Sequence, residues 1–453
     1  MARTSKVNHL LSISKYIFLG LLAYMPLHIF LSTWLGTSFG LLDILKNAKD
    51  VVLVVGFLCV VTAGVKNINW KQFFASKIVW LITLYCLLNI LLGIVKRTDQ
   101  DAEILGVVYG TRFFVFFLYG ALLAQLVDAK KLLKQAVITV LSVAFLVLTF
   151  GVVQYVLLPN NALTHVGYSR ANGVLPAFFI DEKPDLERVM STLRDPNSFG
   201  SYVIIVGTLA IAAVGIKKSK QYLQLPAITT GRFNLISFLV HGLVGLCLWF
   251  SFSRSAWIGF MASLVTYFIL SQHAFIKAHI KKIVPTVVLL ILLALLPLYM
   301  FRSSYLVQNV ILHKDQSTVL EDPNQLRVRF WQESVDAIKK NPWGYGPGTA
   351  GLPSIRNNVQ GTVLTENYYL QIGYELGIAG LALFLSISAV IGYSLYQQRG
   401  NKIARALLAS FIGLAITNFL VHIWANEAVA YTWWGLAGVL IAIQILPQPN
   451  NKL

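Results

Sequence analysis

The sequence is poor in charged residues, and acidic residues are the scarcer kind. Only 12% of its 453 residues are charged, and 19 Asp and Glu residues stand against 37 Lys and Arg residues. Soluble domains are normally about a quarter charged, whereas 56% of this chain is hydrophobic. The composition argues against an ordinary water-soluble domain and indicates that most of the chain faces lipid.

Cysteine is also scarce. Cys59, Cys86 and Cys247 all lie inside apolar runs, with no His or acidic residue at metal-ligand spacing. This pattern argues against a disulfide framework and against a cysteine metal centre. We predict that the three thiols are small core side chains.

Long apolar runs dominate the rest of the chain. In lipid every backbone amide must be satisfied internally, which leaves helices or closed barrels. The runs are about 16 to 25 residues long and lack the alternation of barrel strands. The sequence therefore predicts an all-α membrane protein, a polytopic bundle of about 12 transmembrane helices. The predicted spans are 16–35, 50–65, 77–95, 104–127, 135–158, 197–216, 234–252, 255–271, 283–301, 366–397, 404–424 and 427–446.

The basic residues predict the orientation of the bundle. Seven polar connections, both termini included, hold 20 of the 37 Lys and Arg residues and a single acid, Asp128. Short basic loops lie in the cytoplasm, so we predict that the N- and C-termini are cytoplasmic. Orientation and contact with membrane lipids then explain the net charge of +18, and no nucleic-acid partner is expected.

Two connections are much longer than the others, 159–196 and 302–365, and both are predicted on the extracytoplasmic side. Segments this long are often functional. The second is predicted to contain an amphipathic helix around 326–340, followed by a glycine-rich turn at 341–348. The predicted division within a single membrane domain is 1–158 (helices 1–5), 159–196 (first loop), 197–301 (helices 6–9), 302–365 (large loop) and 366–453 (helices 10–12).

Ionisable residues inside or at the mouth of apolar spans are the sharpest functional signal, because burying them in hydrocarbon costs several kcal/mol. Guanidinium groups form bidentate, charge-assisted bonds to phosphate, so arginines converging on one face predict a diphosphate site. The alternative is that each arginine pairs with a nearby acid and holds a loop, as Arg112 could with Asp50 or Asp43. The arginines predicted at the outer level are Arg112, Arg188, Arg194, Arg254, Arg327 and Arg329.

Two glutamates are candidates for acid–base chemistry. Glu366 opens the tenth predicted span, and Glu375 lies about 13 Å deeper at helical rise. A carboxylate at a cavity mouth could deprotonate an acceptor hydroxyl as general base. The competing explanation for Glu366 is a favourable interaction with the helix dipole.

No metal site is predicted. Asp99, Asp101 and Glu103 resemble an Asp-x-Asp cation motif, but in a polar loop we interpret them as a solvated turn. His165 and His313 are the only histidines placed in the outer loops, and neither has a partner at metal-ligand spacing.

Several motifs occur in a familiar order over about residues 185–395. They are Arg188 with Asn197, Ser251-x-Ser253-Arg254, Arg327 with Trp331, Asn341 to Gly348, and Glu366-Asn367-Tyr368-Tyr369 followed by Glu375 to Gly380. This succession resembles the O-antigen ligase/polymerase superfamily of bacterial membrane glycosyltransferases. Each motif alone is degenerate, so the resemblance rests on their order and spacing.

The resemblance implies a metal- and cofactor-independent transfer at the outer face of the bacterial cytoplasmic (inner) membrane. A glycan would pass from an undecaprenyl-diphosphate carrier to the hydroxyl of a glycan, lipid or protein acceptor. Arg188 and Arg254 would contact the diphosphate, and Glu366 would act as catalytic base. The further predicted substrate-binding residues are Arg112, Arg194, Asn197, Arg327, Arg329, Asn367, Tyr368 and Glu375.

One departure from the family pattern matters for the acceptor. Ligases of lipopolysaccharide in this superfamily typically carry His just before the Asn of the tenth-span motif, and Glu366 occupies that position here. This favours a polymerase of surface polysaccharide over a ligase. The alternatives from other classes are a transporter or lipid-carrier flippase and a non-catalytic assembly partner, although transporters usually place their charges near the midplane.

Overall fold

The computed structural model describes residues 2–96, 100–180, 183–214, 235–272, 299–304, 323–356 and 364–445, and a few other positions between 275 and 308. Fifteen helices longer than one turn are present in this part of the chain. They are α1 (Ala2–Tyr24), α2 (His28–Phe39), α3 (Leu42–Gly64), α4 (Trp70–Ala75), α5 (Lys77–Lys96), α6 (Gln100–Leu126), α7 (Ala129–Leu157), α8 (Pro196–Val214), α9 (Leu235–Phe250), α10 (Arg254–Ser271), α11 (Pro323–Lys340), α12 (Gly351–Arg356), α13 (Tyr368–Gln397), α14 (Lys402–Asn418) and α15 (Glu427–Ile445).

The prediction of a helical, multi-pass membrane protein is confirmed. Seven segments of the described chain are long and apolar enough to cross a membrane: Val7–Phe39, Lys77–Lys96, Ala102–Leu126, Ala129–Leu157, Pro196–Ala213, Arg254–Ser271 and Tyr368–Gln397. Two shorter apolar helices cover Ser237–Phe250 and Glu427–Ile443. The total of about twelve spans stays a prediction, as do the predicted domain boundaries, and the span 283–301 lies almost wholly outside the described residues.

The span predicted at 404–424 ends early, because α14 stops at Asn418. The Asn418 side chain accepts hydrogen bonds from the backbone N–H groups of Ile423 (3.1 Å) and Trp424 (3.4 Å). Asparagine competes for backbone groups in this way and so favours turns over helix interiors. A turn and a short 3-10 helix, Ile423–Ala425, therefore separate α14 from α15.

The connection predicted at 159–196 contains regular structure. Strand β1 (Phe178–Ile180) pairs antiparallel with β2 (Lys183–Arg188), in the only sheet of the described chain. The hairpin is attached to the bundle where the N–H of Val189 donates to the carbonyl of Phe250 (2.9 Å). The amphipathic helix predicted in the second long connection is confirmed as α11.

The core centres on α6 and α15, which pack face to face. Small residues permit this approach, since a Cβ at Gly438 would clash with the backbone of Phe117. Aromatic rings fill the adjoining space, with Phe114 and Trp434 edge to face at 4.8 Å between centroids. Both side chains are fully buried, so α15 is an interior helix of the bundle.

Helix α13 is kinked at Gly377, which has φ 69° and ψ −171°. The kink leaves backbone groups that the glycine-rich turn satisfies: Tyr345 N–H donates to Tyr374 O and Gly346 N–H donates to Glu375 O, both at 2.9 Å. At Gly344 a Cβ would lie 2.5 Å from the Glu375 carbonyl oxygen. Turn and kink therefore form one unit, and only glycine fits at their contact.

Candidate functional site

Arg188 lies at a junction of three elements. It ends β2, and its Nη2 donates to Oδ1 of Asn197 in the first turn of α8 (2.9 Å). The Ser253 hydroxyl, which caps α10, donates to the same Asn197 oxygen at 2.9 Å. Arg188 Nε also donates to the carbonyl of Ser251 at 3.3 Å. The predicted pair of Arg188 and Asn197 is thus a direct contact that joins β2, α8 and α10.

The electrostatics of this junction favour an anion. Burial lowers the pKa of Arg188 to about 10, Arg254 acts in the same direction, and Asp195 opposes both. The guanidinium is still protonated at neutral pH. Asp195 supplies one negative charge near Arg188, and a phosphate bound beside Arg188 and Arg254 would add charge-assisted hydrogen bonds from their guanidinium groups.

Backbone strain is concentrated in the loops around this region. The non-glycine residues with positive φ in the described chain are Ser191 (54°), Phe252 (44°) and Glu366 (46°). Ser191 lies between Arg188 and Arg194, and Phe252 separates two serines of the predicted motif. Such conformations cost of order 1–3 kcal/mol each and cluster at functional sites.

A cavity of about 160 Å³ opens among these loops, and we call it the polar cavity. It is formed by the start of α8, the segment before α13, and the turn between α14 and α15. Its lining is Arg194, Asp195, Asn197, Ser198, Leu352, Glu366, Val421, His422, Ile423, Ala425, Asn426 and Glu427. The cavity therefore brings together Arg194, Asn197 and Glu366 of the predicted set, with Arg188 directly behind Asn197.

Glu366 is held from two sides at the edge of the polar cavity. Arg327 of α11 forms an ion pair with its carboxylate at 3.3 Å, and the Trp331 indole donates to its carbonyl at 3.3 Å. The next residue, Asn367, caps α13 by accepting from the N–H groups of Tyr369 and Leu370. Asn367 is thereby committed to the backbone, whereas the Glu366 side chain stays one-third exposed.

His422 was missed by the sequence reasoning, which placed it inside a span. The early end of α14 puts it in the turn that lines the polar cavity. Its Nε2 contacts the Thr365 hydroxyl at 2.6 Å, and that hydroxyl donates to the carbonyl of Asn367 at 3.1 Å. Burial, and secondarily Arg327, lower the pKa of His422 to about 4. The imidazole is therefore neutral near pH 7.

Arg112 belongs to a buried ion network. Its Nη2 lies 3.0 Å from Glu427 Oε1 and donates to the Ala425 carbonyl at 3.0 Å. The predicted alternative partner Asp50 is more distant, at 3.9 Å. Lys49 completes the network, 3.2 Å from Asp50 and 3.7 Å from Glu427. Only Glu427 of the four also lines the polar cavity.

Glu375 anchors the glycine-rich turn. Its Oε1 accepts from the N–H groups of Gly348 (3.0 Å) and Ala350 (3.2 Å), while Gln371 donates to Oε2 at 3.5 Å. The side chain is 8% exposed and borders a void of about 10 Å³ rather than the polar cavity. Tyr368 is buried beside the same void.

Arg329 is not brought to the polar cavity. It is about half exposed on α11 and lies 3.7 Å from Glu333 one turn along the same helix. Among the described residues, no three His, Cys, Asp or Glu side chains form a group that could hold a metal ion. The interpretation of Asp99, Asp101 and Glu103 as a solvated turn is wrong for Glu103, which is buried in α6; Asp99 and the side chain of Asp101 lie outside the described residues.

Comparison with protein families agrees with this geometry. Residues 238–385 match the family described as O-antigen ligase. A comparison with curated proteins gives no significant match. The family match confirms the resemblance to the O-antigen ligase/polymerase superfamily and supports a ligase- or polymerase-like function in the membrane. It spans Arg254, Arg327, the glycine-rich turn and Glu366, while Arg188 and Asn197 lie before it.

Proposed function

We propose that the protein transfers a glycan from an undecaprenyl-diphosphate carrier to an acceptor hydroxyl at the outer face of the bacterial cytoplasmic membrane. Polymerisation of a surface polysaccharide is favoured over ligation to a lipid or protein. One observation carries the proposal. The polar cavity places Arg194 and Asn197, backed by the Arg188 junction, on one wall and Glu366 with His422 on another.

The proposed binding site for the donor is based on Arg188 and Arg254. During transfer the bond between the sugar C1 and the diphosphate oxygen breaks, and negative charge grows on the leaving diphosphate. Arg188 and Arg254 would bind that diphosphate and stabilise the growing charge, as preorganised donors do in other transferases. The position of Arg188 is fixed before substrate arrives, because Asn197 and Ser251 hold its guanidinium group.

The proposed activation of the acceptor is based on Glu366. A new bond forms between the acceptor oxygen and the sugar C1, and the hydroxyl proton passes to the Glu366 carboxylate. Arg327 holds that carboxylate in place through an ion pair at 3.3 Å. His422 offers a second proton acceptor in the same cavity. Its Nε2 contacts the Thr365 hydroxyl at 2.6 Å, and in either tautomer the neutral imidazole has one ring nitrogen that can take up a proton.

The proposed orientation places the polar cavity outside and both termini in the cytoplasm. Arg194, Glu366 and Glu427 line the polar cavity, whereas the basic turn 398–405 lies at the opposite ends of α13 and α14. Single cysteines at Ser169 and Ser317, one in each predicted outer loop, should react with a membrane-impermeant thiol reagent in intact cells. Reaction only after permeabilisation would reverse the proposed orientation.

The decisive experiment is transfer by purified protein. Detergent-solubilised protein is given a radiolabelled glycan on undecaprenyl diphosphate and an acceptor glycan, and longer products are separated by electrophoresis. Product formation without any membrane gradient supports the transferase. The buried Lys49–Asp50–Arg112–Glu427 network favours a transporter or flippase as the second candidate, since intramembrane charges often mark transport pathways. Movement of carrier across liposomes without new glycosidic bonds would establish that candidate.

A further inference from the structure

Helices α1 and α3 are in close contact at one level of the bundle. The Ser14 hydroxyl donates to the Gly56 carbonyl at 3.1 Å, and a Cβ at Gly56 would lie 2.7 Å from the Ile17 side chain and 2.5 Å from the Tyr119 hydroxyl. Nothing larger than glycine fits there. The contact closes the space between the two helices on the side toward the chain's N-terminus.

Beyond this contact a groove opens between the helices, and we call it the α1–α3 groove. It has a volume of about 290 Å³ and is lined by Ile17, Gly20, Leu21, Tyr24, Ala48, Lys49 and Val52. From Ile17 to Tyr24 it follows about 10 Å of helix axis. Gly20 is exposed in it, and a Cβ there would have no neighbour within 4 Å. Apart from Lys49 and the Tyr24 hydroxyl, the walls are apolar.

The far end of the α1–α3 groove reaches the proposed diphosphate site by two connections. Lys49 lies 3.7 Å from Glu427, which lines the polar cavity. Just past Tyr24, the Pro26 carbonyl accepts a hydrogen bond from the Thr192 hydroxyl at 2.7 Å. Thr192 belongs to the segment that carries Arg188 and Arg194. The groove therefore ends at residues that contact the lining of the polar cavity and the segment between Arg188 and Arg194.

We propose that the α1–α3 groove binds the diphosphate-proximal part of the donor's polyprenyl chain. This inference rests on the proposed function, because only a lipid-linked donor needs both an apolar channel and a cationic end. The chain would lie along Gly20 and Val52, with its diphosphate among the arginines beyond Tyr24. Lys49 is already paired with Asp50 and Glu427, so it marks the boundary of the apolar channel.

Gly20→Phe tests the inference, because the ring would fill the α1–α3 groove from an exposed, unobstructed position. The matched control is Gly242→Phe on α9, where the glycine is also exposed and a Cβ again has no neighbour within 4 Å. Binding is measured in detergent with three probes: undecaprenyl diphosphate, inorganic diphosphate and a dioleoyl phosphatidic acid competitor. None of these measurements requires transfer activity.

The expected result is that Gly20→Phe weakens binding of undecaprenyl diphosphate by at least about tenfold, since several buried methylene groups lose their contacts. Inorganic diphosphate should bind both variants as it binds the unchanged protein. Equal affinity of all three proteins for undecaprenyl diphosphate would overturn the groove assignment. Full displacement by phosphatidic acid would overturn it too, because the groove would then be a general lipid site.

Two further observations separate the possible failures. If the unchanged protein does not bind undecaprenyl diphosphate at all, the proposed donor class is wrong, and the groove assignment fails with it. If the unchanged protein binds it and Gly20→Phe melts at a lower temperature in detergent, the smaller Gly20→Leu replaces it. The binding comparison is then made between Gly20→Leu and Gly242→Leu, with the same expected and contradicting results.

Discussion

Glu366 lies just before α13 and Glu375 lies within it, yet their surroundings are opposite. Glu375 is buried, and both of its oxygens accept hydrogen bonds from fixed donors of the glycine-rich turn and Gln371. Glu366 is about one-third exposed and has one ion pair, with Arg327 at 3.3 Å. A buried carboxylate whose two oxygens already accept hydrogen bonds supports the fold, whereas a partly exposed carboxylate with a single ion pair can act on a ligand.

The same contrast separates the two groups of arginines. Arg112 is deep in an ion network with Glu427, Asp50 and Lys49, so a substrate would have to displace existing partners. Arg188 donates its hydrogen bonds to neutral groups, the Asn197 side chain and the Ser251 carbonyl, and its one acidic neighbour among the causes of its pKa shift is Asp195. Neutral partners position a cation without neutralising it. The diphosphate should therefore bind at Arg188 rather than at Arg112.

The largest effect is expected at Glu366. Glu366→Gln keeps the shape of the side chain and removes its basicity, so the transfer rate should fall by about 100- to 10,000-fold. Donor affinity and melting temperature should hardly change. The control is Glu333→Gln, an exposed glutamate of α11. A loss of less than about threefold would mean that Glu366 serves only the end of the helix and that another group takes the proton.

A smaller loss is expected at the arginines. Arg188→Lys and Arg254→Lys keep the charge but lose the bidentate fork, and each should reduce transfer by about 10- to 1,000-fold. Arg329→Lys, on the exposed side of α11, is the control and should retain activity. The protein level should hold in all three variants, and only Arg188→Lys should melt slightly lower, because it loses the hydrogen bonds to Asn197 and Ser251. Full activity in both Arg188→Lys and Arg254→Lys would disprove the diphosphate site.

Much of this arrangement was predictable from local sequence signals. The apolar runs predicted the helical bundle, because helices are the only local solution to backbone hydrogen bonding in lipid. The polar and apolar alternation predicted α11. Arg188 and Asn197 were singled out together through motif spacing, and they are in direct contact. Each of these signals is carried by neighbouring residues or by an ordered motif.

The partners across the bundle were not predictable in the same way. Glu427 pairs with Arg112 although more than three hundred positions separate them in the sequence, and no local pattern encodes that contact. His422 was hidden in an apolar run. The sequence did contain a signal for His422. Asn418, His422 and Asn426 are polar residues at every fourth position of an otherwise apolar segment. The Asn418 side chain accepts a hydrogen bond from the turn that interrupts the predicted span.

The third prediction concerns Glu375, for which we expect a loss of thermal stability rather than a direct loss of the transfer rate. Glu375→Ala leaves the N–H groups of Gly348 and Ala350 without their acceptor, and each buried unsatisfied group costs about 1–3 kcal/mol. The melting temperature in detergent should fall clearly, whereas Glu333→Ala should melt like the unchanged protein. If Glu375→Ala keeps its melting temperature and loses transfer, Glu375 contacts substrate, as the sequence first suggested.

The smallest effect is expected for the pH dependence of stability at His422. This residue lines the polar cavity, but burial lowers its pKa. Its pKa is about 4 in the folded protein against about 6.5 in an unfolded chain. The unfolded chain therefore binds more protons between these values, and stability is lost as the pH falls through that window. Between pH 7 and pH 5 the loss should be about 1 kcal/mol, allowing for solvent screening near the cavity.

His422→Asn removes this titration and keeps a polar side chain beside Thr365. The variant should therefore lose less melting temperature than the unchanged protein when the buffer is taken from pH 7 to pH 5. His165→Asn, which changes a histidine in the 3-10 helix of the first long connection, is the control and should follow the unchanged protein. If the melting temperatures of all three proteins fall equally between pH 7 and pH 5, the protonation of His422 does not affect folding. The His422 side chain would then be accessible to ligands, as the Glu366 side chain is.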